Sequence, residues 1–316
     1  MPIINKFSVE NNCVKFQIDN TKGIYKISFT NALRRILISH IKCYIIDFKD
    51  VTFIENNSLF NNEFLKSRLC LIPILSNNQK VNYEFLQVTC NKKNDSNTIE
   101  DVLVSDFKIK DRTTDEQLNI KDFFVHQELL FTKLQMEQYI NFEANLKKND
   151  AFNGGASYSP VSSCIVTFNN SNYSKEAISE RERNYDLNTK NEPNTYNFSY
   201  ENIGFFDSKE LIKLGFDTLI EKLNEFKTKF DDYEFKNDFY FFMIKDENDT
   251  LGNLVTSYLM DNSNIEYSGY NIEHPLKNEI IIKIKINGKK EQLFKIINTT
   301  IDDIISMVST LKKEIK

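Results

Sequence analysis

The sequence predicts an α+β fold in which one unit of strand, helix, two strands and a long helix occurs twice. Three observations predict it. Two long stretches, near 208–230 and 291–315, place apolar residues at helical spacing. Shorter stretches ahead of each alternate apolar and polar residues, as half-buried strands do. Residues 51–158 show strand and loop with little helical period, so they read as a β-rich insert that opens the first copy.

The elements follow in order. Residues 1–27 read as short strands broken at Glu10-Asn11-Asn12 and at Asp19–Gly23, and Val14–Ile18 alternates. A helix from Ser28 to Ile41 carries Phe29, Ala32, Leu33, Ile36 and Leu37 on one face, with Ser28 or Thr30 as its cap. Arg34 and Arg35 lie off that stripe. Tyr44–Phe48 resumes as strand, and within the insert Glu84–Cys90 and Ile140–Leu146 alternate. Residues 91–98 form a polar loop, Asn153-Gly154-Gly155-Ala156 a flexible turn, and Val161–Phe168 a strand. Residues 169–195 are polar and aperiodic, a long exposed loop.

The clearest helix spans Ser208 to Phe230, opened by a capping box of Asp207 and Glu210. Its seam of Ile212, Phe216, Leu219, Leu223, Phe226 and Phe230 wants a partner helix. The same stripe also fits a core helix on its own sheet, which periodicity alone ranks first. Phe239–Ile244 then reads as strand, and Asp249 caps a helix from Thr250 that turns Leu251, Leu254, Val255, Tyr258 and Leu259 inward. Ile265–Asn271 and Glu279–Ile286 are strands. The last helix turns Ile297, Ile301, Ile304, Ile305, Val308 and Leu311 inward. Segment 31–51 overlays 252–272, with Leu33 on Leu254. The expected organisation is a first module of 1–50 plus 159–233, an insert of 51–158, and a second module of 234–316.

Composition narrows the function. The chain has 316 residues, 40 Lys plus Arg and 45 Asp plus Glu, so its formal net charge of −5 argues against a stand-alone nucleic-acid binder. Hydrophobic residues at 41% are enough to build cores. The abundance of Lys, Asn and Ile reads as A/T-biased coding. No apolar run approaches the roughly 18 residues of a membrane span, and the amino-terminal stretch lacks the apolar core of a secretory signal. The five cysteines are scattered with no C-x-x-C pair, which predicts neither disulfide framework nor metal site and fits a reducing compartment.

Signatures of catalysis are missing. Among eight glycines there is no phosphate loop of either common pattern. His40, His126 and His274 are far apart and read as structural. Asp246–Thr250 resembles the start of a calcium loop but has Leu251 where glycine is needed. Asp302-Asp303 reads as a solvated face. Catalysis by this chain alone is not expected, and no cofactor is.

Two stretches are more particular. Thr30-Asn31-Ala32-Leu33-Arg34-Arg35-Ile36-Leu37, continued by Asn62-Glu63-Phe64-Leu65-Lys66-Ser67-Arg68-Leu69-Cys70-Leu71-Ile72-Pro73, resembles the alpha-like subunits of multisubunit DNA-dependent RNA polymerases. Cys70 stands where that family usually has Gly, which bears on the local turn. Asp249-Thr250-Leu251-Gly252-Asn253-Leu254 with Ser268-Gly269-Tyr270 and His274-Pro275-Leu276 resembles the smaller partner subunit, with Asp249 replacing the motif's His.

The resemblance implies two alpha-like dimerisation modules fused in one chain, as in large cytoplasmic DNA viruses. It implies a non-catalytic platform that nucleates association of the two large polymerase subunits, alongside small ones, and meets DNA only indirectly. Asn31, Arg34, Arg35, Glu63 and Arg68 would face the large subunits. Ile212, Phe216, Leu219, Leu223 and Phe226 would pair internally with Leu254, Ile297, Ile301, Ile304 and Val308. Many relatives carry a zinc or iron–sulfur site in the insert; the cysteine pattern here supports neither. The implied setting is the host cytoplasm and virion for a viral chain, or the nucleus for a cellular one. The rival reading is a self-associating α+β scaffold.

Overall fold

The computed structural model describes residues 4–76, 81–169, 186–230, 232–274, 277–288 and 290–315. The chain forms two compact units: residues 1–37, 163–201 and 212–316 make one, and 38–162 with 202–211 make the other.

The first unit opens with β1 (Ile4–Glu10), β2 (Cys13–Asp19) and α1 (Ile27–Ser39). The chain then enters the second unit with β3 (Cys43–Asn56), α2 (Asn62–Leu69), β4 (Leu86–Lys93), β5 (Glu100–Leu103), β6 (Lys108–Asp111), β7 (Gln117–Leu118), β8 (Leu130–Leu134), β9 (Tyr139–Asn149) and the single turn α3 (Ala151–Gly154). It continues through β10 (Val161–Phe168), β11 (Thr195–Asn202) and α4 (Ser208–Lys227). The remaining elements are β12 (Tyr233–Lys236), β13 (Phe239–Lys245), α5 (Asp249–Leu259), β14 (Ile265–Asn271), β15 (Glu279–Ile286) and α6 (Lys290–Glu314).

The duplication is visible in the sheets. One is ordered β1-β2-β11-β10 and the other β12-β13-β15-β14. In each, the strands stand in the order first, second, fourth, third, with a helix after the second strand and a long helix after the fourth. Each sheet buries one face. Val14, Phe16 and Ile18 face inward with Tyr196, Phe198 and Tyr200, as do Phe242 and Ile244 with Ile280, Ile282 and Ile284. The period-2 alternation of the sequence is this one-sided burial.

Helices cover the buried faces. Gly215 on α4 lets that helix approach α1, because a Cβ there would meet Leu37 Cδ2 at 2.7 Å. Gly252 does the same for α5 against its sheet, where a Cβ would meet Ile280 Cδ1 at 3.0 Å and the Tyr270 ring at 3.1 Å. Gly252 lies in the Asp249–Leu254 motif, whereas Gly215 carries no sequence signal beyond its place among the apolar residues of α4.

Several local readings need correction. The overlay of 31–51 on 252–272 sets β3 on β14, but the sheet position equivalent to β14 is held by β10. Strand β3 pairs with β9 along its length, from Cys43↔Asn149 to Asn56↔Ile140, in the sheet β3-β9-β4-β6-β7. The second unit thus takes in residues 38–50, which the sequence reading gave to the first module. Ser28 and Thr30 do not act as expected at the start of α1: Ser28 hydrogen-bonds Ser257, and Thr30 Oγ1 donates back to the Ile27 carbonyl. The cap of α5 is Asn248, whose Oδ1 accepts the Thr250 N–H at 2.9 Å, so Asp249 is the first helical residue. The expected loop over 169–195 is described only at its ends: 170–185 lie outside the described residues, as do Pro275 and Leu276 of the second motif.

The second unit has an aromatic core. Phe107, Phe131 and Phe142 meet edge-on with centroids 5.3 to 5.6 Å apart, and Phe124 joins Phe107. Such geometry adds to plain area burial. Cys90 belongs to this core. Burial pushes the Cys90 and Cys164 thiols up to about 12 and Cys70 to about 11, and raises Cys43 as well.

Two tests follow from this packing. Gly215→Leu forces a side chain against Leu37 and should lower stability by about 1–3 kcal/mol in denaturant titration. Because the buried thiols stay protonated at pH 8, a thiolate-specific disulfide reagent should label the half-exposed Cys13 first, with Cys43, Cys90 and Cys164 reacting only on unfolding. Equal labelling of all five in the native protein would show the cores to be open.

Candidate subunit interface

The two modules are joined helix to helix within the first unit. Lys227 of α4 pairs with Asp302 of α6, its Nζ 2.7 Å from both carboxylate oxygens. Asp217 of α4 pairs with Lys312 of α6 at 2.5 Å. Each helix spends ten residues between these two partners, in opposite chain order, so α4 and α6 run antiparallel. The ion pairs stand about 15 Å apart along the axis at 1.5 Å per residue. Leu219, Leu223 and Phe226 lie between them on one helix, and Ile304 and Val308 on the other, all at most 1% exposed. Ile212, Phe216, Ile297 and Ile301 extend the same buried stripes. The two ion pairs set α6 alongside α4.

A second antiparallel contact joins α1 to α5. Ser28 Oγ lies 2.5 Å from Ser257 Oγ near one end. Lys26 Nζ reaches the Ser257 carbonyl at 2.7 Å and Asp261 at 2.6 Å, while the Tyr258 hydroxyl accepts the Lys26 N–H and donates to the Ile24 carbonyl. Burial pushes Tyr258 far above the usual phenol range. At the other end Arg35 Nη1 lies 3.8 Å from Asp249 Oδ2. Asp249 also hydrogen-bonds Tyr270, whose pKa rises chiefly through burial and then through that carboxylate. Leu254 is fully buried on α5.

Arg35 therefore serves the contact between modules. Arg34 differs. Its Nε and Nη2 donate to Asn31 Oδ1 at 3.1 and 2.9 Å, and among the described residues no carboxylate lies within ion-pair distance. Asn31 and Arg34 line a pocket of about 230 Å³ with Ile27, Thr30, Val166, Phe168 and Asn253. A half-buried guanidinium with one amide partner is poised to receive a carboxylate.

Glu63 and Arg68 sit on α2 in the second unit. Asn61 caps that helix by accepting the Phe64 N–H at 2.8 Å, and Glu63 in the first turn complements the helix dipole. Arg68 clasps the backbone of β8, donating from Nε to the Phe131 carbonyl at 2.9 Å and from Nη2 to the Leu130 carbonyl at 2.7 Å. These two bonds tie α2 to β8. Cys70 ends the helix at φ −63°, a right-handed conformation that needs no glycine. Around α2 stand Leu59 (73% exposed), Phe60, Phe64 and Leu71 (68% exposed), an apolar group that sequence reasoning missed because it follows no period.

Comparison with known proteins bears on this helix-paired arrangement. Residues 240–314, from β13 to the end of α6, match the family described as the RNA polymerase Rpb3/Rpb11 dimerisation domain. The chain carries an Rpb3/Rpb11-type domain. It is 28% identical over 181 residues to DNA-directed RNA polymerase II subunit rpb3 of Dictyostelium discoideum, covering 53% of this chain and 57% of that protein. It is 36% identical over 78 residues to the probable DNA-directed RNA polymerase II subunit RPB11 of Plasmodium falciparum, covering 25% of this chain and 60% of that protein. A 48-residue stretch is 50% identical to DNA-directed RNA polymerase subunit Rpo3 of Methanocaldococcus jannaschii, covering 15% of this chain and 24% of that protein. The chain thus spans somewhat over half the length of the first two relatives, and it is homologous to subunits of both the Rpb3 and the Rpb11 type.

The seam predicts a hierarchy. Lys227→Ala removes a half-exposed ion pair and should cost below about 1 kcal/mol. Leu223→Ala opens a cavity in the buried stripe and should cost about 2–5 kcal/mol by equilibrium unfolding.

Proposed function

We propose that this chain is a fused alpha-like subunit of a multisubunit DNA-dependent RNA polymerase, with an Rpb3-like and an Rpb11-like half in one polypeptide. In this reading it is a non-catalytic platform that nucleates association of the two large catalytic subunits, with smaller subunits alongside. The observation that carries the reading is the pairing of α1 with α5 and of α4 with α6 inside one compact unit. Two separate subunits would meet through such helices at a rate set by concentration; one chain holds them at a high effective concentration.

Supporting the large-subunit contact are Arg34, which has a cationic head and no acidic partner among the described residues, and the exposed apolar group around α2 that carries Glu63. Arg35 has a smaller part in it, since Asp249 already engages that side chain. The A/T-like composition is the ground for a viral source, with transcription in the host cytoplasm as its setting.

Affinity purification of the tagged full-length chain tests the proposal. Two much larger subunits and DNA-templated RNA synthesis should come with it. Recovery of a homodimer free of large subunits would overturn it in favour of a self-associating scaffold. Arg34→Glu should keep the fold by circular dichroism and reduce co-purification about tenfold or more, the scale of an interface hot spot. Persistence of full binding would remove Arg34 from the contact.

A further inference from the structure

The two sheets share a topology, yet their open faces differ in chemistry. On the central strands of the first sheet the outward positions are Cys13, Lys15, Gln17 and Asp19, opposite Thr195, Asn197, Ser199 and Glu201. Gln17 Nε2 donates to Asn197 Oδ1 at 2.8 Å, and Cys13 meets Ser199 at 3.4 Å. This is a polar face with hydrogen bonds across its strands, suited to water.

The equivalent face of the second sheet is aromatic and rich in lysine. Strand pairing sets Phe239 beside Lys285 and Tyr267, and Phe241 beside Lys283 and Gly269. Lys236 extends the first row and Glu234 the second. The Lys283 ammonium lies 3.8 Å from the centre of the Phe239 ring, 5.5 Å from that of Phe241 and 5.8 Å from that of Tyr267. Among the described residues neither Lys236 nor Lys283 has a carboxylate within ion-pair distance, whereas Lys285 is held by Glu266 at 2.9 Å. Outward positions of β12, β13 and β15 carry Lys236, Lys245, Lys283 and Lys285 against Glu234 and Glu279, and Glu266 of β14 offsets Lys285. A groove of about 620 Å³ runs over Phe241, Met243, Ile281 and Gly269, with Lys236 and Lys283 on its lining together with Asp232, Glu234 and Glu273, and Tyr267 is 46% exposed.

Lysines interleaved with aromatic rings on the open face of a four-stranded sheet match the chemistry of an unpaired nucleic-acid strand. Bases stack on rings whatever their identity, and ammonium groups follow the phosphates. A duplex buries its bases and leaves the rings without partners. We propose that this face binds single-stranded nucleic acid through stacking on Phe239, Phe241 and Tyr267 and phosphate contact with Lys236 and Lys283. The site lies on one module and does not depend on polymerase assembly.

Fluorescence anisotropy of the full-length chain with labelled ten-nucleotide oligouridylate and oligothymidylate tests this. Binding is expected in the range of about 10⁻⁴–10⁻⁶ M typical of sequence-independent contact. Two phosphate contacts predict a slope of log affinity against log salt of about −1.4, at about 0.7 per contact for single strands. Lys283→Gln should reduce that slope by about 0.7, and Tyr267→Ala should weaken binding about tenfold by loss of a stacked base. Lys15→Glu, on the polar face, should leave binding within about twofold, which controls for bulk charge. Preference for uridylate over thymidylate would identify RNA as the ligand; equal binding supports a general single-strand site.

Three results would overturn the proposal: no binding at millimolar protein, equal loss with Lys15→Glu and Lys283→Gln, or tighter binding to a duplex. Protection of Lys283 and Lys285 from acetylation by another polypeptide in the purified assembly would also overturn it, since the face would then be a protein contact.

Discussion

The first unit depends on a constraint at the helix layer. A four-stranded antiparallel sheet with one apolar face needs cover, and two helices supply it. Those helices then present apolar flanks of their own. In this chain α1 touches α4 at Gly215, α4 meets α6 between its two lysine–aspartate pairs, α6 packs on α5, and α5 returns to α1 through Ser257 and Asp249. The contacts close a ring of four helices. The ion pairs set direction and register, while the apolar seam supplies the free energy.

What the sequence made legible is what local spacing controls. The stripes on α4 and α6 are read directly from positions such as Phe216, Leu223, Ile301 and Val308, and all are buried. Pairing partners were harder, because alternation tells that a strand has one buried face and not which sheet owns it. Thus β3 was read into the first module although its partner β9 lies far along the chain. Capping failed for a narrower reason: Asn248 and Asp249 are adjacent and both accept hydrogen bonds, and only helix register decides between them. That choice releases Asp249 to meet Arg35. Arg68 could not have been placed from sequence, since its partners are the backbone carbonyls of Leu130 and Phe131, which leave no trace in residue type.

Duplication followed by divergence also shows how little a whole-chain charge says. The figure of −5 is a sum over the whole chain. One open face is polar with hydrogen bonds across its strands, while the other gathers lysines around rings. A sum cannot resolve that difference, whereas strand register can, because it states which alternate residues share a face.

The first unit is assembled from three separate stretches of chain, with the second unit's residues 38–162 between the first two. During synthesis the second unit's main segment leaves the ribosome before β10, β11 and the later helices exist. The backbone N–H of Ile4 is bonded to Glu314, so a residue made before the second unit's main segment waits for one made after it. The order of maturation therefore inverts the order of translation: the insert can condense early, while α1, made before it, stays exposed until α4, α5 and α6 arrive. Such long-range closure is slow, and it makes α6 the step that commits the first unit.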